Sequence, residues 1–191
     1  MRVEVIEETT KALEAYASIP IAFDVSLVLD VAETAAGPSQ FVLTERRLDI
    51  PYLKNYDALN GACPTQWAMS FDLSNWGLFG AWIEGRRVGG ATVAFNTAGV
   101  LLLEGRTNLA VLWDIRVSPE ARCQGVGSAL FQAAEAWAKA RGCRQLRVET
   151  QNINIPACRF YARRGCSLSK VDRDAYPDLS DEIQLIWCKD L

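Results

Sequence analysis

Six consecutive residues, Arg122-Cys123-Gln124-Gly125-Val126-Gly127, hold the most specific chemistry in this chain of 191 residues. They follow an apolar strand pattern and open an amphipathic helical one. Two glycines let the backbone come close to an anion, the N–H groups of a first helical turn have no partner inside the helix, and the helix dipole adds positive charge there. A pyrophosphate suits such a cradle. The same spacing is also ordinary turn and capping chemistry, so Gly-x-Gly alone leaves both readings open. What the chain lacks is equally informative: it contains no histidine. That removes Ser/His/Asp triads, His-activated cysteines and His-ligated metals, and no metal is expected. The cysteines at 63, 123, 143, 158, 166 and 188 form no C-x-x-C pair, and a chain of this length needs no disulfide framework. They read as reduced, small core residues.

The elements that must position this loop are most legible from Leu78 onward. Leu78 to Ile83 and Val88 to Phe95 are joined across Glu84-Gly85-Arg86-Arg87, a hairpin signal. Ala110 to Val117 predicts a strand ending at Ser118-Pro119. Val126, Leu130, Ala133, Ala134, Trp137 and Ala138 recur at helical spacing, so residues 126 to 141 form a helix with one inward face, stopped by Gly142. A strand over 145 to 150, a helix over 155 to 164 and strands near 166 to 171 and 182 to 189 complete this half. Upstream, residues 2 to 7 alternate like a half-buried strand, and Thr9 or Thr10 caps a short helix reaching Tyr16. Phe23 to Val31 and Phe41 to Arg46 flank the turn-rich Ala35-Ala36-Gly37-Pro38-Ser39 as a hairpin. Residues 51 to 57 with Cys63-Pro64 suggest a loop with a short helix. No repeat or linker interrupts this order, which describes a single mixed α/β domain over residues 1–191.

Twenty basic residues against 23 acidic ones give a net charge of −3, with no Lys/Arg run, which argues against a nucleic-acid partner and for a cationic one. No stretch approaches the ~18 apolar residues of a membrane span, and Met1 to Glu7 carries alternating charge where a signal peptide would carry an apolar run. A cytoplasmic protein with no membrane partner is expected, and a homodimer is compatible with the sequence.

In its context, the segment from Asp114 through Gly127 to Leu130 resembles the acyl-CoA motif of the GNAT N-acetyltransferase superfamily. That signature is Arg/Gln-x-x-Gly-x-Gly/Ala after a strand and a Val-x-Pro turn. A Rossmann site is disfavoured, because its glycines would follow the first strand of a βαβ unit and the strands before Arg122 are hairpins. Asn154-Ile155-Pro156-Ala157-Cys158-Arg159-Phe160-Tyr161-Ala162-Arg163-Arg164-Gly165-Cys166 resembles a second segment of the family, Asn-x-x-Ala-x-x-Phe-Tyr-x-x-x-Gly-Phe, and departs from it only at Cys166. The resemblance implies the α/β (α+β) GNAT fold, a mixed, mostly antiparallel sheet with flanking helices and acyl-CoA in the central strand splay. It implies acetyl-CoA as co-substrate. Backbone groups of Ile115, Arg116 and Val117 would hold the pantetheine and carbonyl. Arg122, Cys123, Gln124, Gly125, Val126, Gly127 and Ser128 would take the pyrophosphate. Asn154, with Ala157 and Phe160, would meet the CoA arm, and Tyr161 would lie near the thioester sulfur. Asn154 also suits a helix N-cap ahead of Pro156, and Tyr161 suits a core position beside Phe160.

A narrower resemblance, to streptothricin acetyltransferases, runs over most of the chain. It rests on Phe23-Asp24-Val25, Pro51-Tyr52-Leu53-Lys54-Asn55-Tyr56, Val148-Glu149-Thr150-Gln151-Asn152, Ala157 to Tyr161, Val171-Asp172 and Asp181-Glu182-Ile183-Gln184-Leu185. Those enzymes acetylate an amine on the β-lysine arm of the antibiotic. Trp113 stands where related sequences often carry Glu. A lysine-like ammonium, with a pKa of about 10.4, must lose a proton before it attacks a thioester. Without histidine, the acceptor is a carboxylate or water, and Asp114 and Glu149 are the candidates. Tyr161 is the candidate donor to the leaving thiolate. Asp24, Asp57, Glu149, Asp181 and Glu182 would attract a small cationic amine, and Tyr52, Tyr56 and Tyr176 would wall it, although each also fits a solvated side chain. Two other readings share these motifs: a GNAT acting on a polyamine or a protein N-terminus, and a non-catalytic acyl-CoA-binding module.

Overall fold

The computed structural model describes residues 2–33, 41–59, 61–179 and 181–191, so the turn expected over 35–39 lies outside the described residues. The strands are β1 (Glu4–Glu8), β2 (Phe23–Glu33), β3 (Phe41–Lys54), β4 (Gly77–Ile83), β5 (Arg86–Phe95), β6 (Leu109–Val117), β7 (Gln145–Gln151), β8 (Ser167–Asp172) and β9 (Gln184–Asp190). The helices are α1 (Leu13–Ala17), α2 (Trp67–Ser70), α3 (Val126–Ala140) and α4 (Ile155–Arg163). The chain groups into two compact units, Met1–Ala22 with Asn55–Leu146 and Leu191, and Phe23–Lys54 with Arg147–Asp190. Among the described residues no helix is long and apolar enough to cross a membrane, and no cluster of His, Cys, Asp or Glu could hold a metal.

In the first unit, β1, β4, β5 and β6 lie side by side and antiparallel. Glu84 and Gly85 both have positive φ, as a tight two-residue hairpin turn requires. The β5–β6 ladder pairs Thr92 with Asp114 but Val93 with Leu112, so Trp113 is an extra residue in β6. This bulge turns Trp113 onto the aromatic group of Phe71, Trp76 and Trp67, with ring centroids 5.1, 5.3 and 6.5 Å away. Such bulges bend a strand and re-aim the side chains beyond them. Tyr16 of α1 packs closely on β5 because Gly90 has no side chain: a Cβ there would lie 2.5 Å from the Tyr16 ring. Val126 and Leu130 of α3 are buried, and the helix ends where Cys143 and Gly142 donate their N–H groups to Ala138 and Lys139.

In the second unit, β7, β9 and β8 are neighbours in that order, and β2 and β3 form a two-stranded sheet. β3 runs to Lys54, through residues expected as loop. Its pairing jumps from Leu27–Arg47 to Val25–Tyr52. Residues 48–51 therefore stand outside the ladder, where the missing N–H of Pro51 costs no hydrogen bond. Asn152, 5% exposed, ties this sheet down. Its side chain donates to Leu29 O and accepts from Ile183 N–H, while its backbone accepts from Leu29 and donates to Ile183.

Candidate active site

The loop 122–128 has the geometry of an anion cradle. Gly125 is the residue before α3, with φ of 85°, and no side chain caps the helix. A Cβ at Gly125 would meet nothing within 4 Å, so space lies open beside the first turn. The polar side chains of the loop fold back rather than forward. Arg122 donates to Val117 O and Ala22 O, at 3.2 Å each, and Gln124 donates to Glu120 O at 2.7 Å. What remains for an anion is the row of backbone N–H groups at Val126, Gly127 and Ser128, which an α-helix cannot satisfy internally. A CoA pyrophosphate fits this donor set. Cys123, expected as a core residue, is exposed here with φ of 61°, and Cys63 is half-buried; the other four cysteines are buried, and all six are free. Exposure follows from its place on the loop before the helix.

Behind the loop, Asp114 and Arg116 of β6 belong to a buried network. The Tyr16 hydroxyl donates to Asp114 Oδ1 at 2.6 Å. Arg116 donates to both Asp114 oxygens, at 3.1 and 2.7 Å, to both Asp57 oxygens, at 3.0 and 3.1 Å, and to Ile19 O at 3.1 Å. The Arg116 side chain is 1% exposed and that of Asp114 8%. Burial, then the Asp114 carboxylate, pushes the Tyr16 phenol well above its ordinary value. Burial alone would lower the Arg116 pKa, but Asp114, Tyr16 and Asp57 raise it. Both carboxylates were expected at the reaction, Asp114 as proton acceptor and Asp57 as substrate anion. Both are bound to Arg116.

In the second unit, the Tyr176 hydroxyl donates to Glu149 Oε1 at 2.5 Å and accepts from Gln151 Nε2 at 2.8 Å. Burial, then the Glu149 carboxylate, pushes this phenol far above its ordinary value, and Gln184 also bonds it. Among the described residues Glu149 has this tyrosine donor and no ion-pair partner. Glu182 differs: it is buried and paired with Lys54 of β3, so its charge is neutralised internally. Tyr52 is half-exposed, and its phenol is raised by burial and then by Glu182 and Asp181. Asp24 and Asp181 are exposed, and Tyr56 is half-buried. Asn154 caps α4, accepting from the N–H of Ala157 at 3.2 Å. Phe160 meets Tyr161 edge-on, with centroids 5.4 Å apart, and Tyr161 is 4% exposed. Cys158 is buried, its thiol pushed up to about 12 by desolvation, so it is no nucleophile.

The profile of the Acetyltransferase (GNAT) family matches residues 47–166. The chain belongs to this family. Streptothricin acetyltransferase A of Bacillus subtilis (strain 168) is 31% identical over 147 residues, 75% of this chain and 76% of that protein. The crystal structure of nourseothricin acetyltransferase superposes with a TM-score of 0.75 at 25% identity, over 100% of this chain and 99% of that one. A Bacillus anthracis protein solved with acetyl coenzyme A superposes with a TM-score of 0.78 at 24% identity, over 100% and 98%. The fold is the GNAT fold, and the chain is an acetyltransferase whose co-substrate is acetyl-CoA.

Within this GNAT chain, sequence reasoning missed Tyr16, Lys54 and Gln151. Lys54 stands inside Pro51 to Tyr56, a segment already singled out, and one cation between tyrosines was a signal that some carboxylate would need it. Tyr16 had no comparable signal, since an aromatic on a short amphipathic helix reads as core.

Proposed function

We propose that this acetyltransferase moves acetyl from acetyl-CoA to a primary amine of streptothricin, a small cation, and so confers resistance to the antibiotic. All 191 residues act as one GNAT domain in the cytoplasm. The observation that carries the reading is the uncapped N-terminus of α3, where backbone N–H groups and open space at Gly125 suit a pyrophosphate. The relatives named streptothricin acetyltransferases support the acceptor. Backbone groups of Ile115 and Val117 hold the thioester arm in this reading. Glu149, oriented by Tyr176, takes the amine proton directly or through water. The amine nitrogen attacks the thioester carbon, the C–S bond breaks, the nitrogen releases its second proton to solvent, and Tyr161 gives its phenolic proton to the departing thiolate and recovers one from solvent. Exposed Asp24 and Asp181 draw the cation in over longer range. The reaction needs no metal, nucleic acid or membrane, and a homodimer is compatible with it.

The test is acetyl transfer by the purified protein, read as CoA-thiol release together with mass analysis of the acceptor. Streptothricin acetylated in preference to polyamines and peptide N-termini is the expected result. Preference for either of those acceptors contradicts the substrate, and acetyl-CoA binding without transfer to any amine contradicts the enzyme.

A further inference from the structure

The end of β6 is held by a brace with three legs. Tyr16 reaches it from α1, Ile19 from the turn after α1, and Asp57 from the short turn at residues 56–58, and all three converge on the Asp114–Arg116 pair. The strand needs one. Ser118 N–H donates to Val88 O, and Arg116 sits opposite Gly90, so by antiparallel alternation the backbone groups of Ile115 and Val117 point away from β5. Arg122 covers the Val117 carbonyl on that side. Where the Ile115 and Val117 N–H groups lie therefore depends on how a strand with a bulge at Trp113 is held, and bulged strands bend. An ion cluster this buried is a weak source of net stability, because desolvation offsets most of its attraction. Two carboxylates around one guanidinium also leave an excess negative charge, which the Tyr16 O–H partly answers. Gly90 makes room for that ring, and any side chain there would displace it.

We infer that Tyr16 is a positioning residue for acetyl-CoA: through Asp114 and Arg116 it fixes the β6 segment whose outward N–H groups receive the thioester arm. This rests on the reading that acetyl-CoA lies along β6. It assigns Asp114 to holding the strand and not to accepting the amine proton.

The experiment uses the full-length protein and two variants, Tyr16→Phe, which keeps the ring over Gly90 and deletes one hydroxyl, and Asp57→Asn, which loosens another leg. Acetyl-CoA dissociation constants are measured by calorimetry, KM and kcat by thiol release, and folding by thermal melting. Both variants are expected to raise the acetyl-CoA Kd and KM about tenfold while kcat at saturation stays within about threefold. A dissociation constant unchanged in both variants overturns the inference, as does a fall in kcat with KM untouched. A purely structural role would lower the melting temperature of both variants and leave Kd of the folded fraction at the wild-type value, which also overturns it. If the wild-type protein itself binds no acetyl-CoA, the underlying reading fails instead, and that result is separate from any difference among variants.

Discussion

Each unit of this acetyltransferase contains a tyrosine that donates its proton to a strand carboxylate, and the two pairs differ in what else the carboxylate meets. Asp114 accepts from Tyr16 and is clamped by Nε and Nη2 of the Arg116 guanidinium. Glu149 accepts from Tyr176, and the buried cation of its unit, Lys54, is paired with Glu182 instead. A carboxylate surrounded by charged donors is an anchor, since its lone pairs are already committed. One held by a neutral phenol is oriented yet keeps its charge available to an incoming ammonium. In the proposed mechanism a tyrosine–carboxylate pair therefore holds a strand in one place and reacts in the other, and the position of one arginine or lysine decides which.

The largest effect should come from removing the clamp. Arg116→Met leaves the buried Asp114 and the half-buried Asp57 without their cation, and the expected loss is about 3–5 kcal/mol, read as a fall in urea midpoint. A loss below about 1 kcal/mol would mean the network is wet and that Asp114 is not an anchor. A smaller effect is expected from Tyr176→Phe, about 1–1.5 kcal/mol of stability, accompanied by a several-fold loss of turnover as Glu149 loses its orienting donor. Unchanged turnover would detach Tyr176 from the reacting carboxylate.

Alkaline pH tests both pairs at once, most gently. Folding raises the pKa of Tyr16 and of Tyr176, so both phenols stay protonated in the native state while the unfolded chain begins to release those protons near pH 10. Their contribution to stability is complete below that pH and is lost as pH rises towards the folded values. Unfolding free energy should fall above about pH 10, less steeply in Tyr176→Phe, and a pH-independent midpoint from 9 to 11.5 would contradict the buried phenols.

The loop at 122–128, the turn at Glu84-Gly85 and the Asn154 cap were legible because each is a local device whose residue types follow from backbone geometry. The Tyr16–Asp114 bond was not, since its partners stand 98 residues apart and neither has a sequence neighbour that announces the other. The same holds for Lys54 and Glu182, 128 residues apart. Acidic residues were read from the sequence as one class of substrate anions. Burial divides them: Asp57 and Glu182 neutralise internal cations, whereas Asp24 and Asp181 remain exposed. The bulge at Trp113 hides in an apolar run, where an extra residue changes neither hydropathy nor charge. Residues 51 to 57 were read as loop, and the gap in the β2–β3 ladder that accommodates Pro51 is a property of the pair of strands and not of either one.

The division between the two carboxylates is tested most directly by single-turnover acetyl transfer to streptothricin at saturating acetyl-CoA, comparing Asp114→Asn with Glu149→Gln. The predicted result is a rate within about tenfold of wild type for Asp114→Asn and a loss of at least about a hundredfold for Glu149→Gln. The reverse order, with Asp114→Asn inactive and Glu149→Gln near wild type, would place the proton acceptor on β6 and contradict the account.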